Sequence, residues 1–429
     1  MRITRLELQN IGVFEYLEFN FPEKKQHDKA EIHIFTGENG TGKSTVLQSL
    51  ASTYLIPNVR VRLYPYIADK FRFKNSSSVI SISNNGGSSE PVNYNFVTDG
   101  DFVTNFFSHH LNLGYGQKIK NYPDSKFDFC FFSYSGYRRT NRIKVDSIRE
   151  LKDNPLENAT DFDNSANPQQ LVQWIANTKT KEALESIKNG SGNPGRYRKA
   201  IERIEQTVSE IIEKPVKFVM ETDPLAVSVE IDNQQISLDA LPDGLKSIIS
   251  WIADLLMRMD RIKWATDEEV FDRNFILFLD EIEVHLHPAW QRKILPVVQK
   301  LFKNAQIFIS THSPFVVGSV DDAWVYKLEN VDGNARLADG FPVLSSSGKS
   351  YQLVLDEIFG IGSEFSETLE KELQEFYHLR EELLHKDFHQ ETQFIEKAKQ
   401  LAGKSPEVRD IVGREIRQLN RLLKKEYAL

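Results

Sequence analysis

The stretch that decides the fold runs from Ile32 to Thr45 and reads IHIFTGENGTGKST. It begins with an apolar run that predicts a buried strand, and Val46, Leu47 and Leu50 follow it at helical spacing. The turn has the form G-x-x-x-x-G-K-S, whose glycines allow consecutive N–H groups to point into one concavity. A strand, such a turn and a helix in this order predict a phosphate-binding site, and they disfavour a chance glycine-rich turn.

The side chains of this turn have separate expected roles. Lys43 can reach the β- and γ-phosphates of a nucleotide, and the Ser44 hydroxyl can ligate Mg²⁺. The helix that begins there adds the partial positive charge of its N-terminus. We therefore expect nucleotide contacts from Gly37, Glu38, Asn39, Gly40, Thr41, Gly42, Lys43, Ser44 and Thr45.

Two carboxylates follow a second predicted strand. Phe275–Leu279 is a run of five apolar residues, typical of a central strand in a parallel sheet, and Asp280 and Glu281 come directly after it. Asp280 can hold Mg²⁺ directly or through water, and Glu281 can orient and polarise an attacking water. A strand that merely ends at the surface in two acids is the alternative, which the phosphate loop in the same chain disfavours.

Two further signals are weak singly and strengthen each other by their order. Gln306–Ser310 predicts another buried strand, and His312 just beyond it can hydrogen-bond a γ-phosphate and report its presence. Asp243 and Gly244 open a helix expected over Ser247–Met259. A glycine turn at a helix N-terminus can bind a phosphate group that another subunit holds.

The composition is that of a large chain with no overall excess of basic residues. The 429 residues are 40% hydrophobic and carry a formal charge of −8, so two or three subdomains are expected and nucleic acid binding would need a local patch. The single cysteine, Cys130, excludes intramolecular disulfides and is expected to be a buried, inert thiol. No secretory leader and no run long enough for a bilayer is present, so we expect a cytoplasmic protein without membrane contact.

The remaining pattern predicts an α/β fold with a mixed sheet. Residues 1–21 alternate as two strands with a tight connection near Asn10–Gly12, and Ile201–Ile212 has the apolar spacing of an amphipathic helix. Strand alternation returns at residues 219–231, with a hairpin turn at Asp232-Asn233. We expect an N-terminal lobe at 1–139, a helical insertion at 140–217, a C-terminal lobe at 218–345 and a helical segment at 346–429.

Two further segments lie just before and within the expected insertion. After the apolar strand expected at Phe127–Tyr134, Arg138 and Arg139 either cap the strand end or lie near the nucleotide or a partner subunit. The Asn- and Asp-rich segment Asn154–Asn167 is expected to be an exposed, mobile loop.

Taken together, the motifs of residues 1–345 resemble an ABC-type P-loop ATPase head of the RecF/SMC-like branch. The opening also resembles the pattern M-x-I-x-x-L-x-L-x-N-I at the start of that branch. The resemblance implies two heads that sandwich two ATP molecules, each signature motif facing the other head's Walker A. It assigns Gly37–Thr45 to Walker A, Asp280 and Glu281 to Walker B, His312 to the switch histidine, Leu241–Lys246 to the signature and Glu283–Pro288 to the D-loop.

The chain departs from that branch at the signature. Pro242 stands where a serine hydroxyl is usual, which removes one contact to the γ-phosphate of the other head and implies slow turnover. A Q-loop glutamine is not evident, and Ser135–Arg139 lies in that region instead. His285 and His287 could be metal ligands, but their place in the D-loop at a dimer seam is the favoured interpretation.

Within the branch, the runs H-L-H-P and T-H-S-P resemble bacterial defence ATPases related to the overcoming-lysogenization-defect nucleases. The Toprim carboxylates of those nucleases are not evident, and the tail is helical. Its last helix is predicted to have Ser405 as N-cap and Pro406 at the first position. This tail is similar to the ATPase subunit of Septu-type and retron-associated systems, whose HNH nuclease is a separate chain.

The resemblance implies an ATPase that uses Mg²⁺, forms at least a head-to-head homodimer and controls a partner nuclease in anti-phage defence. Nucleic acid would then be contacted through the complex. A RecF-like repair ATPase that binds DNA directly, and a nucleotide-gated scaffold with little turnover, remain alternatives. The tail is either a docking surface or a helical cap that packs on the head.

Overall fold

The structure is a computed structural model that describes residues 1–52, 78–84, 92–99, 102–107, 110–136, 147–189, 195–345, 348–362, 365–385, 388–424 and 426–427. Arg138 and Arg139 lie outside these residues. The chain divides into two compact units, Met1–Val354 and Leu355–Leu429. Within the described part, every helix is too short or too polar to cross a bilayer.

Strands and helices of the described residues are numbered in chain order. The strands are β1 (Ile3–Ile11), β2 (Phe14–Asn20), β3 (Glu31–Gly37), β4 (Ser78–Asn84), β5 (Val92–Asp99), β6 (Phe102–Phe107), β7 (Cys130–Ser135), β8 (Val216–Thr222), β9 (Leu225–Ile231), β10 (Gln234–Ser237), β11 (Phe275–Asp280), β12 (Ala305–Ser310), β13 (Ala323–Val331), β14 (Asn334–Leu337) and β15 (Val343–Leu344). The α-helices are α1 (Lys43–Ser52), α2 (His110–Lys120), α3 (Pro168–Asn189), α4 (Arg196–Ile212), α5 (Asp243–Arg261), α6 (Pro288–Leu301), α7 (Pro314–Val317), α8 (Tyr351–Val354), α9 (Glu367–Leu384), α10 (Glu391–Ala402) and α11 (Pro406–Leu423).

The central sheet of the first unit has parallel strands in the order β13-β3-β12-β11-β7, and β14 and β15 pair antiparallel with β13. β11 and β12 are buried at every position, as continuous apolar runs predict for strands covered on both faces. The register pairs Leu279 with Ile309 and Ser310 with Phe35. The strands that carry the three predicted motifs therefore end at the same edge of the sheet.

A second sheet is antiparallel, in the order β2-β1-β4-β5-β6. The inward positions of β1 and β2, such as Leu6, Leu8 and Phe19, are buried, which confirms the two predicted opening strands. Their tight turn contains Gly12, where φ is +58° and a Cβ atom would lie 3.1 Å from Cγ2 of Thr45. The turn between the first two strands thus lies against the start of α1.

The predicted amphipathic helix and hairpin lie between β7 and α5 in the chain. α4 buries Ile201, Ile204 and Val208 on one face, and β8, β9 and β10 form a three-stranded antiparallel sheet. The turn at Asp232-Asn233 has φ values of 52° and 62°, as a two-residue hairpin turn requires. The predicted hairpin is confirmed.

The prediction of an exposed loop at Asn154–Asn167 was wrong. Ala159 and Phe162 are buried, and their carbonyl groups accept hydrogen bonds from Ser133 and Ser135 along the outer edge of β7. The Asp161 side chain accepts from the Asp163 and Asn164 N–H groups, so it caps a local turn. Asn and Asp in this segment serve turn geometry, which composition alone does not distinguish from exposure.

The second unit is helical. α9, α10 and α11 share an apolar core that includes Phe376, Phe394 and Val412. Pro406 occupies the first helical position of α11, and the Ser405 hydroxyl accepts from the Val408 N–H at 3.1 Å. The helix start predicted at Ser405 is confirmed.

Candidate nucleotide-binding site

The phosphate loop joins the end of β3 to the start of α1. Gly37 has φ 137°, and a Cβ atom there would lie 2.1 Å from the Leu328 carbonyl oxygen of β13. Gly42 has φ 90°, and a Cβ atom there would lie 2.4 Å from the Phe14 ring. Both positions require glycine for backbone angle and for close approach, because neighbouring strands pack directly against the loop.

Lys43 is the buried cation of the loop, with only 6% of its surface exposed. Its Nζ donates hydrogen bonds to the carbonyl oxygens of Gly37 at 3.0 Å and Glu38 at 2.7 Å. Burial lowers the pKa of Lys43, and the carboxylates of Glu281 and Asp280 oppose that shift. The ammonium is therefore held at the loop by protein carbonyls and faces two acids across the site.

Asp280 is the buried acid at the end of β11. Its Oδ1 accepts a hydrogen bond from the Ser44 hydroxyl at 3.1 Å and another from the Ser310 hydroxyl. A serine hydroxyl beside a carboxylate supplies the oxygen ligands that Mg²⁺ prefers. The described residues contain no group of three or more His, Cys, Asp or Glu side chains arranged for a metal. Ser44 and Asp280 fit a Mg²⁺ ion that takes its other ligands from phosphate and water.

Glu281 follows at a turn in the backbone. Its φ of 50° bends the chain out of β11, and its N–H donates to the Ser310 hydroxyl at 2.8 Å. Burial and the neighbouring Asp280 raise the pKa of Glu281, and Lys43 opposes the rise. A carboxyl group with a raised pKa at a site edge suits a group that accepts a proton from water.

His312 lies at the end of β12. The Thr311 N–H donates to the Phe35 carbonyl at 3.0 Å, which ties this segment to β3. Burial lowers the pKa of His312, and Lys43 lowers it further, so the imidazole is favoured as the neutral form. A neutral ring has one N–H to donate to a phosphate oxygen.

One cavity of about 480 Å³ is lined by Gly12, Val13, Asn39, Gly40, Gly42, Lys43, Ser44, Thr45, Glu281 and His312. Residues from the first 45 positions therefore meet Glu281 and His312, which lie more than 200 residues later in the sequence, at one edge of the sheet. Gly12 and Val13 were not predicted as site residues; the tight turn expected there was the signal that could have found them. Asp243 and Gly244 are not among the residues that line this cavity.

The signature region lies elsewhere on the same unit. Pro242 is the N-cap of α5 and makes no side-chain cap, while the Asp243 side chain is 74% exposed. Gly244 is buried, and a Cβ atom there would lie 2.7 Å from the His285 carbonyl oxygen. The start of α5 thus packs against the segment after β11. His287 caps α6, since its Nδ1 accepts from the Ala289 N–H at 3.2 Å.

The parallel sheet, the phosphate loop and the paired carboxylates define a P-loop nucleotide-binding head, which confirms the predicted fold class. Residues 32–318 match the family described as "AAA domain, putative AbiEii toxin, Type IV TA system". The match spans most of the chain, and the chain belongs to this family.

Individual relatives agree with the resemblance predicted from sequence. "Retron Ec83 probable ATPase" of Escherichia coli is 23% identical over 77% of this chain and 72% of its own length. "Septu protein PtuA" of Bacillus thuringiensis is 22% identical over 87% of this chain and 90% of its own length. The Bacillus mycoides (strain KBAB4) protein of the same name is 25% identical, and the match covers 45% of its length. The predicted resemblance to retron-associated and Septu ATPases is confirmed.

Among solved structures, an SMC head bound to the C-winged helix domain of ScpA matches 79% of this chain and 97% of its own. The sequence identity is 12% and the TM-score is 0.48. The SMC head domain from Thermotoga maritima matches with a TM-score of 0.41.

Proposed function

We propose that this chain binds ATP with Mg²⁺ and hydrolyses it slowly, as the ATPase subunit of a bacterial anti-phage defence complex. The observation that carries the proposal is the shared cavity of Lys43, Ser44, Glu281 and His312, with Asp280 bonded to Ser44. The family match and the relatives named as ATPases support the same activity.

Each side chain has a role in this proposal. Lys43 and the N-terminus of α1 hold the β- and γ-phosphates, and Ser44 with Asp280 holds Mg²⁺, which would neutralise charge on those phosphates. Glu281 orients the attacking water and accepts its proton. His312 donates a hydrogen bond to the γ-phosphate and so distinguishes ATP from ADP.

The start of α5 and the helical unit are assigned roles in assembly. Asp243 and Gly244 complete the site of a second copy, because they lie outside the cavity of their own chain and Asp243 is exposed. The helical unit Leu355–Leu429 docks a separate HNH-type nuclease, and ATP-dependent association of heads controls it in the cytoplasm. The similarity to Septu protein PtuA, together with the resemblance found in the sequence, motivates this part of the proposal.

Phosphate release and nucleotide binding test the ATPase activity. Wild type should release phosphate from MgATP, and Glu281→Gln should bind ATP with similar affinity and release phosphate at least about 100-fold more slowly. Equal rates in both proteins would refute hydrolysis and favour a nucleotide-gated scaffold, which the proline at position 242 also favours.

Co-purification tests the partner. Expression together with the product of the neighbouring gene should give a complex with a nuclease that survives gel filtration with ATP. A chain that never associates with a nuclease, and instead binds duplex DNA alone with strong salt dependence, would favour the RecF-like alternative.

A further inference from the structure

Glu283 is a titratable group of the site that the proposed chemistry does not use. It lies two residues beyond Glu281, in the turn after β11, where the Leu286 N–H donates to its carbonyl oxygen at 2.9 Å. Its side chain reaches the end of β12, where Oε1 accepts a hydrogen bond from the His312 N–H at 2.5 Å.

A second hydrogen bond joins the same two segments, and its N–H donor lies on the other segment. The Glu281 N–H, in the segment after β11, donates to the Ser310 hydroxyl at the end of β12 at 2.8 Å. Glu281 and His312 are thus each held through their backbone N–H by a side chain from the other's segment. The two bonds form a reciprocal pair, Ser310 to Glu281 and Glu283 to His312.

The carboxyl group of Glu283 lies in a buried environment that raises its pKa. Its Oε2 atom is buried and has no hydrogen-bond partner among the described residues. Burial raises the pKa of Glu283, and hydrogen bonding by the His312 N–H, by its own N–H and by the Thr311 side chain opposes the rise. Glutamine at this position keeps both the shape of the side chain and an acceptor oxygen for the His312 N–H.

We propose that Glu283 is a positioning residue that sets the place of His312 relative to Glu281 through this reciprocal pair of backbone bonds. Glu281 orients the water and His312 contacts the γ-phosphate, so their separation fixes the geometry of attack. A displacement of about 1 Å in such a site can cost about 100-fold in rate. The inference rests on the proposed ATP hydrolysis and concerns the same site.

Variants at position 283 separate positioning from charge. Glu283→Gln keeps the acceptor for the His312 N–H, so kcat should stay within about threefold of wild type. Glu283→Ala removes the acceptor, and kcat should fall about 30-fold or more while KM and ATP affinity change less than about threefold. Glu269→Ala is the matched control, because the Glu269 side chain is 66% exposed and pairs with Arg203 away from the cavity; it should leave kcat unchanged.

A double-mutant cycle shows whether Glu283 acts through His312. In a His312→Ala background, Glu283→Ala should lower kcat by less than about threefold further, because the residue it positions is gone. Full additivity would overturn the proposal, as would a wild-type kcat in Glu283→Ala. An equal loss in Glu283→Gln and Glu283→Ala would also overturn it, because that result would require the negative charge.

Two measures keep the test decisive. If Glu283→Ala does not fold by circular dichroism, Glu283→Asp replaces it, since the shorter side chain withdraws the acceptor and should lower kcat about tenfold. If wild type shows no turnover above Glu281→Gln, the proposed hydrolysis fails on its own. The positioning role is then read from the His312 imidazole NMR resonance, whose shift with MgATP should persist in Glu283→Gln and vanish in Glu283→Ala; persistence in both overturns it.

Discussion

Both ends of the central sheet hold ionisable groups, but these groups have protein partners at one end and line a cavity at the other. At the end where the strands begin, Glu31 bonds Arg2 at 2.8 Å and the His33 ring at 2.7 Å. Gln306 from the adjacent strand donates to Glu31 at 2.7 Å and to the Ile3 carbonyl. At the end where the strands finish, Lys43 and Glu281 line an open cavity.

The pKa values of the glutamates at the two ends are shifted in opposite directions. Burial would raise the pKa of Glu31, but the His33 and Arg2 side chains outweigh it and hold the value at about 2. Burial and Asp280 raise the pKa of Glu281, and Lys43 compensates only in part. Charges that are paired inside the protein are costly to unpair, and charges that face a cavity are available to a ligand.

Removing the internal partner should give the largest effect on stability. Glu31→Ala leaves Arg2 and the buried His33 without their shared acceptor, so the free energy of unfolding should fall by about 3–5 kcal/mol. Urea titration measures the loss. Glu18→Ala is the matched control, because its 2.8 Å pair with Arg5 is more exposed and should contribute less than about 1 kcal/mol. Equal losses would mean that burial of the pair does not matter.

Removing the cavity cation should affect binding and spare the fold. Lys43→Ala should weaken MgATP binding by about 100-fold or more, because it removes a charge-assisted bond to phosphate. Isothermal titration measures the affinity. The free energy of unfolding should change by less than about 1 kcal/mol, since the buried ammonium is costly by itself. Retained ATP affinity would contradict the assignment of the site.

Acid should remove the stabilisation that Glu31 provides at the internally paired end. Because the pKa of folded Glu31 is about 2, below its ordinary 4.5, its contribution is present above pH 4.5 and is lost as pH falls towards 2. The difference in unfolding free energy between wild type and Glu31→Gln should therefore narrow across that range. A difference that stays constant from pH 6 to pH 3 would show that the pKa of Glu31 in the folded protein is not lowered by its partners.

The smallest effect is expected at the signature. Pro242 is an N-cap without a side-chain acceptor, so Pro242→Ser should stabilise the start of α5 by about 1 kcal/mol or less. If the serine hydroxyl also reaches a γ-phosphate of a second copy, phosphate release should rise severalfold at protein concentrations that favour dimers. A rise in melting temperature without any change in rate would limit Pro242 to a local capping role.

Much of the site was predictable from sequence because its residues lie in short, contiguous motifs. Gly37–Thr45 encodes its own strand, turn and helix, and the acids after Phe275–Leu279 stand out because buried strands rarely end in charge. Glu283 and Ser310 were not predicted in these roles, because their partners are backbone N–H groups about 30 residues away. The exposure of Asn154–Asn167 was predicted wrongly, because composition does not show which groups a polar side chain hydrogen-bonds.

By itself, the sequence determined the residue types of the site and the periodicity of the strands that carry them. Backbone angles at glycine and alternation along a strand are local properties, so sequence patterns report them directly. Only the tertiary structure decided that Lys43, Glu281 and His312 share one cavity and that Glu31 finds its partners inside the fold. Strand order and register bring these residues together, and they depend on packing between segments far apart in the chain.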